Sequence, residues 1–142
     1  MSNESAYARA GVDIEAGERA VDLMKAHVAA TRRPEVLGGL GGFAGFFDAS
    51  VLGQYRHPVL ATSTDGVGTK VAIAQAMDIH DTIGFDLVGM LVDDLVVVGA
   101  EPWFVTDYIA CGHVDPDRIA NVVKVIAAAC VKAGCSLLGG ET

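Results

Sequence analysis

Hydrophobic and polar residues alternate along the chain with two kinds of spacing, one typical of helices and one typical of strands. Between Asp13, a candidate N-cap, and about Ala30, apolar residues recur at helical spacing at Val21, Met24 and Val28. This spacing predicts an amphipathic helix that buries one face. Farther along, turn residues separate shorter apolar runs, so the sequence predicts several short elements packed together.

The shorter runs predict two further helices and four strands. The predicted helices extend from the cap at Asp81 and Thr82 through residue 98 and over residues 119–132, and the predicted strands lie near residues 43–47, 59–64, 103–110 and 135–138. The strand at 59–64 and the helix ending near 98 are mostly apolar, so both are expected to be buried. Residues 38–42 are too rich in glycine for a regular element and are predicted to form a mobile loop. This order fits an α+β sheet with helices on one face, and the other face then needs a partner.

Composition places the chain at the apolar edge of globular proteins. It has 142 residues, of which 51% are hydrophobic and 20% charged, and its mean hydropathy is +0.40. This size fits one domain, and the apolar surplus indicates that part of the surface is an interface. No uncharged apolar run approaches the roughly 20 residues of a membrane helix, and the N-terminus lacks the features of a secretory signal. We therefore expect no membrane insertion and a cytoplasmic location.

Charge and cysteine content narrow the classes of function. A net charge of −8 and a pI near 4.7 argue against a nucleic-acid partner, because such binding rests on clustered Lys and Arg. The acidity is compatible with a phosphorylated substrate, since carboxylates can hold Mg²⁺ that binds phosphate oxygens. Cys111, Cys130 and Cys135 are odd in number and lack metal-site spacing, so all three are interpreted as reduced thiols with packing roles.

One motif carries most of the candidate chemistry. It is Asp65-Gly66-Val67-Gly68-Thr69-Lys70, at the end of a predicted strand. The motif places a carboxylate, a hydroxyl and an ammonium on one turn, with glycines that let backbone N–H groups approach a ligand. Because Thr69 precedes Lys70, it is not a Walker A loop. Spacing alone leaves two interpretations open, a phosphate cradle and an ordinary Asp-Gly turn with a solvated lysine.

Other carboxylates are candidate metal ligands. Asp93 and Asp94 interrupt an apolar run, where adjacent carboxylates are costly unless something compensates their charge. The pair either binds a metal or faces a solvent-exposed stripe of the helix. Asp86 either extends this acidic face or interacts favourably with the helix N-terminus, and the latter is the stronger interpretation. Glu141 follows the last predicted strand behind two glycines, which places it either at a site or in a frayed terminus.

Seven stretches, taken in order and spacing, resemble the aminoimidazole ribonucleotide synthetase family. They lie at residues 10–14 (AGVDI), 31–36 (TRRPEV), 38–43 (GGLGGF), 65–70 (DGVGTK), 80–84 (HDTIG), 94–102 (DLVV and GAEP) and 134–142 (GCSL and GGET). Each stretch is short and individually unspecific, but together they cover nearly the whole chain. The resemblance is therefore more specific than any single motif.

The resemblance implies a fold, an assembly and an activity. The implied fold is α+β, a four-stranded mixed or antiparallel half-barrel sheet with helices on one face, and the sheets of two subunits pair into a barrel. Residues 1–142 would form the N-terminal ATP-binding and dimerisation domain, preceded by a partly flexible arm over about 1–42, while the family's C-terminal domain is absent from this sequence. The implied activity is a purine-biosynthetic ring closure. It converts formylglycinamidine ribonucleotide to aminoimidazole ribonucleotide and turns ATP into ADP and phosphate.

The resemblance also implies roles for individual residues. The carboxylates that match Mg²⁺–phosphate ligands of the family are Asp65, Asp94 and Glu141. The phosphate cradle of the family is matched by Lys70 together with Gly66, Gly68 and Thr69, and a family lysine near the nucleotide is matched by Lys25. The resemblance implies that the catalytic residues are Lys70, Asp65 and Asp94. Lys25 is alternatively a solvated helix residue. Asp93 departs from the family, which usually has Asn there. The alternative functions are a related phosphotransferase, such as thiamine-phosphate kinase or selenophosphate synthetase, and an inactive dimerising nucleotide-binding fragment.

Overall fold

The computed structural model describes residues 6–141. The helices are α1 (Ala6–Arg9), α2 (Ile14–Ala30), α3 (Thr69–Met77), α4 (Ile83–Val97) and α5 (Pro116–Ala133), with a 3-10 helix over Ala49–Gln54. The strands are β1 (Val36–Leu37), β2 (Phe46–Phe47), β3 (Phe104–Tyr108) and β4 (Ser136–Glu141). The fold is a mixed α+β one with small sheets and several helices, which confirms the predicted class.

Most helix ends follow the local signals in the sequence. The Asp13 carboxylate accepts a hydrogen bond from the Ala16 N–H at 3.0 Å, and Asp115 caps α5 in the same way at 3.1 Å. Gly134 ends α5 in the left-handed conformation, with φ 72°. Thr82 precedes α4 as predicted, but its side chain makes no capping hydrogen bond. Capping by residues next to the helix ends therefore sets the bounds of α2 and α5.

Helix α5 is the central element of the core. It packs against α2, α4 and β4. Its buried residues Val123, Ile126 and Cys130 meet Met24 of α2 and Val88 of α4 in one hydrophobic cluster. Burial of side chains of this size contributes roughly 1.5–3 kcal/mol each. The three long helices thus form the rigid support on which the polar segments rest.

Helix α4 approaches α5 most closely at Gly84. A Cβ atom at this position would lie 2.4 Å from the backbone nitrogen of Ile126, closer than real Cβ contacts come. Any larger residue would push the helices apart, and such overpacking typically costs about 1–3 kcal/mol. Glycine at this position therefore fixes how α4 presents its acidic residues.

The strands form two separate pairs. β1 and β2 are antiparallel, whereas β3 and β4 are parallel. A bulge in β4 leaves Leu138 without a cross-strand partner. In the β3–β4 pair, Val105 and Leu137 face the helices, while Phe104 is 46% and Tyr108 77% exposed. The four-stranded half-barrel implied by the family resemblance is not seen within residues 6–141. One face of the β3–β4 pair is consequently open.

Two predictions about single elements are wrong for this chain, and one helix was not predicted. Residues 59–64 form no strand, and Val59 is 86% and Leu60 71% exposed, because no neighbouring strand lies beside them. Helix α4 is not largely buried, since Val97 is 82% exposed. The helix that was not predicted is α3, whose first residues, Thr69 and Lys70, were assigned to the Asp65–Lys70 turn. None of the helices in the described range is long and apolar enough to cross a membrane.

The cysteines divide into two environments. Cys130 and Cys135 are buried core thiols as predicted, and the pKa of Cys130 is raised by its hydrogen bond to Cys135 and by burial. The packing role assigned to Cys111 is wrong, because this residue is exposed in the segment after β3. Exposure shows that the apolar neighbours of Cys111 in the sequence do not enclose it in the fold.

A polar network fastens the segment before the glycine-rich loop to β4. Ser136 Oγ donates to the Thr31 carbonyl and accepts from the Arg33 N–H, both at 2.9 Å, and the Leu137 N–H donates to Thr31 Oγ1. The Arg33 guanidinium pairs with Glu35, which raises the pKa of the arginine and lowers that of the glutamate. Residues 31–37 are thereby anchored, and the glycine-rich loop begins directly after them.

Candidate functional site

The Asp65–Lys70 motif forms a tight, strained turn. Asp65 Oδ1 accepts a hydrogen bond from the Val67 N–H at 2.5 Å, a side-chain-closed turn typical of Asp. Val67 has φ 65°, a conformation that costs a non-glycine residue about 1–3 kcal/mol. Its side chain is only 6% exposed, so packing holds the strained backbone in place. Gly68 continues with a positive φ of 60°, which only glycine adopts freely.

This turn opens directly into the N-terminus of α3. Helix α3 begins at Thr69 and has no side-chain cap, because the residue before it is Gly68. Within residues 6–141, no backbone acceptor pairs with the N–H groups of Thr69 and Lys70. Unpaired N–H groups and the helix dipole together favour an anion at such an end. The motif therefore has donors available for a negatively charged group.

Two side-chain contacts join the turn to α4. Ser63 Oγ donates to Asp94 Oδ2 at 2.7 Å, and Lys70 Nζ donates to Asp86 Oδ1 at 2.6 Å. Asp86 and Asp94 stand about 12 Å apart along the helix axis, since each residue adds about 1.5 Å. Residues 63–70 run along this stretch in the opposite direction, which brings both carboxylates beside the motif.

The acidic residues of α4 thus have different environments. Asp93 and Asp94 are both exposed, but of the two only Asp94 contacts the segment that carries the motif. Asp86 lies in the first turn of α4, as interpreted from the sequence, and it also pairs with the motif lysine. The structure therefore places Asp86 beside Lys70 at one end of the motif and Asp94 beside Ser63, two residues before Asp65.

Two of the sequence-predicted residues lie elsewhere. Lys25 Nζ contacts Asp22 Oδ1 at 2.5 Å and lines a separate cavity of about 260 Å³ beside the glycine-rich loop. Glu141 ends β4 opposite Tyr108, and its carbonyl accepts a hydrogen bond from the Ile109 N–H at 2.8 Å. Across residues 6–141, no three His, Cys, Asp or Glu side chains converge as a ready metal-binding group.

A large cavity connects the motif to β3. Its volume is about 1240 Å³, and its walls come from residues 59–67, α4, α5 and β3. Asp65 lies in one wall and Asp107 of β3 in another. Burial raises the pKa of Asp107 above its usual range. Sequence reasoning missed Asp107, although a carboxylate within an otherwise apolar strand was a signal for it.

Fold and site together define a class of protein. It is an α+β domain in which a strained Asp-Gly turn, a free helix N-terminus and the carboxylates of a neighbouring helix border one wide cavity. Residues 47–142 match the family described as AIR synthase related protein, N-terminal domain, and the chain belongs to this family. The resemblance inferred from the sequence is thereby confirmed.

The curated relatives carry one name. The chain is 66% identical over 137 residues to the phosphoribosylformylglycinamidine cyclo-ligase of Geobacillus sp. (strain WCH70), which covers 96% of this chain and 39% of the relative. It is 63% identical to the cyclo-ligase of Geobacillus kaustophilus (strain HTA426), over the same shares of both chains. With the cyclo-ligase of Bacillus cytotoxicus it shares 61% identity, over 97% of this chain and 40% of the relative. The chain therefore spans about two-fifths of the length of these relatives.

Proposed function

We propose that this chain is the N-terminal, ATP-binding part of a phosphoribosylformylglycinamidine cyclo-ligase that acts in purine biosynthesis in the cytoplasm. The observation that carries the proposal is the 66% identity over 96% of the chain to a protein of that name. The proposed reaction converts formylglycinamidine ribonucleotide and ATP to aminoimidazole ribonucleotide, ADP and phosphate. The names of the relatives favour this reaction over the reactions of a thiamine-phosphate kinase or a selenophosphate synthetase.

The strained turn and the start of α3 support a phosphate-binding role. In this proposal Gly66, Gly68 and Thr69 present backbone N–H groups to the phosphates of ATP, and Lys70 adds a positive charge. Lys70 already stands at this end of α3, where its 2.6 Å pair with Asp86 orients the ammonium. Since the lysine is 52% exposed, a phosphate can approach its remaining donors. The role of Lys25 near the nucleotide stays a prediction.

The carboxylates beside the turn fit a magnesium ion bound to the nucleotide. Mg²⁺ takes oxygen ligands and is typically held by one or two carboxylates together with substrate phosphates and waters. Asp65 and Asp94 supply such oxygens on adjoining elements, and Ser63 links the two segments. Glu141, at the end of β4, is the proposed third ligand. When bound, the ion would neutralise charge on the phosphate groups.

The proposed chemistry explains why ATP is consumed. An amide oxygen leaves poorly, so the γ-phosphoryl group of ATP is first transferred to the formyl oxygen of the substrate and ADP is released. An amidine nitrogen then attacks the activated carbon, the ring closes, and the oxygen departs with phosphate. Lys70 and the N–H groups of the turn stabilise the charge on the transferring group.

A full-length chimera tests this function directly. In it, the present chain replaces the matching 39% of the Geobacillus sp. (strain WCH70) relative. We expect ATP- and Mg²⁺-dependent formation of aminoimidazole ribonucleotide within about tenfold of the parent enzyme, because so similar a segment preserves the site geometry. The parent enzyme, assayed alongside, is the positive control. A folded chimera without this activity would contradict the proposal.

We also propose that two copies of the chain associate through the open face of the β3–β4 pair, as the half-barrel arrangement requires. The chain exposes 9520 Å², whereas a compact monomer of 14.7 kDa exposes about 6,900 Å². Val59, Leu60, Phe104 and Tyr108 contribute exposed apolar area and all line the large cavity. A contiguous surface of this kind in a soluble protein marks an interface. The substrate and a second copy of the chain are thus the proposed partners, and neither nucleic acid nor a membrane is among them.

Light scattering on this chain measures the association. We expect a mass of about twice 14.7 kDa. Val59→Asp should shift the mass to the monomer value, because it places a charge in the proposed interface. Val12→Asp is the matched control, since Val12 is also exposed, at 50%, but lies outside the large cavity. A monomeric wild-type chain at micromolar concentration would refute the dimer.

A further inference from the structure

Asp107 has a carboxylate that the rest of the chain leaves unpaired. The side chain is half-buried near the end of β3, and that burial raises its pKa. Apart from its own backbone N–H, no donor within residues 6–141 is seen to bond with it, and its oxygens keep some contact with solvent. A partly desolvated carboxylate without a cation carries an energetic cost. Groups of this kind occur where a ligand supplies the missing partner.

The neighbouring strand is adapted to this carboxylate. Gly140 of β4 lies opposite Asp107, and a Cβ at Gly140 would come within 1.7 Å of Asp107 Oδ1. Any residue other than glycine would therefore displace the carboxylate. Because Gly140 has a negative φ, its backbone conformation alone does not demand glycine. A Cβ at Gly140 would also lie 2.6 Å from the backbone carbonyl oxygen of Asp107, so the carboxylate and the strand backbone together require glycine there.

The position of Asp107 places it at the ligand cavity. Asp107 lies near the carboxyl end of β3 and lines the same 1240 Å³ cavity as Asp65 and Gly66. Ligands of sheet proteins commonly bind beyond the carboxyl ends of parallel strands. The phosphate-binding turn and this carboxylate therefore stand on different walls of one cavity, as groups that hold different parts of a ligand do.

We infer that Asp107 binds the amidine group of the substrate, an inference that rests on the proposed cyclo-ligase function. A protonated amidine is a planar cation whose N–H groups form a fork, as in guanidinium, and a carboxylate binds such a fork through two parallel hydrogen bonds. The pair would satisfy both the cation and the otherwise unpartnered Asp107. It would also fix the plane of the amidine, which then loses a proton to solvent so that one of its nitrogens can attack the formyl carbon.

The test compares two Michaelis constants in the full-length chimera. Asp107→Asn should raise the KM for formylglycinamidine ribonucleotide by roughly tenfold to a hundredfold, as expected for the loss of a hydrogen bond to a charged group. The KM for ATP should change by less than about twofold, because the phosphates bind at another wall. Asp107→Glu, which keeps the charge, should recover part of the lost affinity. Asp81→Asn is the matched control, since Asp81 is exposed and lies outside the cavity.

A stability measurement separates binding from a structural role. If Asp107 serves a ligand, Asp107→Asn should leave the Tm of the free chimera unchanged or higher, because it removes a partly desolvated charge that no cation among the described residues balances. A lowered Tm, with both KM values raised together, would show a structural residue and overturn the inference. Asp107→Ser offers a smaller replacement should Asn fail to fold, and the same KM comparison applies to it.

The remaining outcomes are distinguishable from one another. A wild-type chimera that folds but makes no aminoimidazole ribonucleotide would contradict the proposed function itself. An active chimera in which Asp107→Asn leaves the KM for the amidine substrate within about twofold of the wild type would contradict only the inference. A rise in the half-saturating Mg²⁺ concentration instead would make Asp107 a metal ligand, and the amidine assignment would be wrong.

Discussion

Asp65→Asn and Asp94→Asn, each made in the full-length chimera, are expected to lower turnover by about a hundredfold or more with little change in stability. Asparagine keeps the oxygen that accepts from the Val67 N–H at position 65 and from Ser63 Oγ at position 94. The turn and its contact with α4 are therefore preserved. Only the negative charge proposed to hold Mg²⁺ against phosphate is lost.

The matched control for these variants is Asp93→Asn. Asp93 is exposed beside Asp94 on the same helix, and no side-chain contact involving it is seen in residues 6–141. Its replacement should change turnover by less than about twofold. Initial rates at limiting and at saturating Mg²⁺ provide the measurement, and excess Mg²⁺ should restore part of the lost rate. Near-normal turnover of both Asp65→Asn and Asp94→Asn at limiting Mg²⁺ would place the metal site elsewhere.

Features set by neighbouring residues were predictable from the sequence. The ends of α2 and α5 follow from Asp13, Asp115 and Gly134, whose caps involve residues within one helical turn. The turn at Asp65 was predicted for the same reason, since its closing hydrogen bond reaches only two residues along the chain. The family resemblance rests on similar short stretches, and the comparisons confirm it.

Features that depend on distant or external contacts were not predictable in the same way. The apolar run at Val59 satisfies a strand pattern, but a strand also needs a neighbour to pair with, and the single chain provides none there. For α4, composition suggested burial, yet its apolar C-terminal end faces outward at Val97. The Lys70–Asp86 pair joins residues that are 16 positions apart, so periodicity along one helix did not reveal it. Both segments are exposed in the single chain, and the proposed second copy is expected to cover the one at Val59.

The second large effect is the loss of catalysis expected when the 142-residue chain is assayed without the additional residues that its relatives have. We expect no measurable ring closure by the 142-residue chain alone, whereas the full-length chimera turns over. The cavity beside Asp65 is open and wide, about 1240 Å³, so this chain supplies only part of the walls that would hold ATP and the ribonucleotide in contact. Correct alignment of two reactants contributes about 7–11 kcal/mol to catalysis, and an incomplete cavity forfeits much of it.

Partial function should nevertheless survive in the isolated chain. The turn at Asp65, the N-terminus of α3 and Asp94 all lie within it, so weak Mg²⁺-dependent nucleotide binding is expected, measurable by calorimetry. Asp65→Asn should weaken that binding and Asp93→Asn should not, which ties any signal to the proposed site. The decisive assay follows ATP-dependent formation of aminoimidazole ribonucleotide by the chain at high concentration, beside the chimera. Turnover by the chain within about tenfold of the chimera would show that residues 1–142 already complete the catalytic site. A tenfold difference in rate corresponds to only about 1.4 kcal/mol, which is much less than the loss expected from an incomplete cavity.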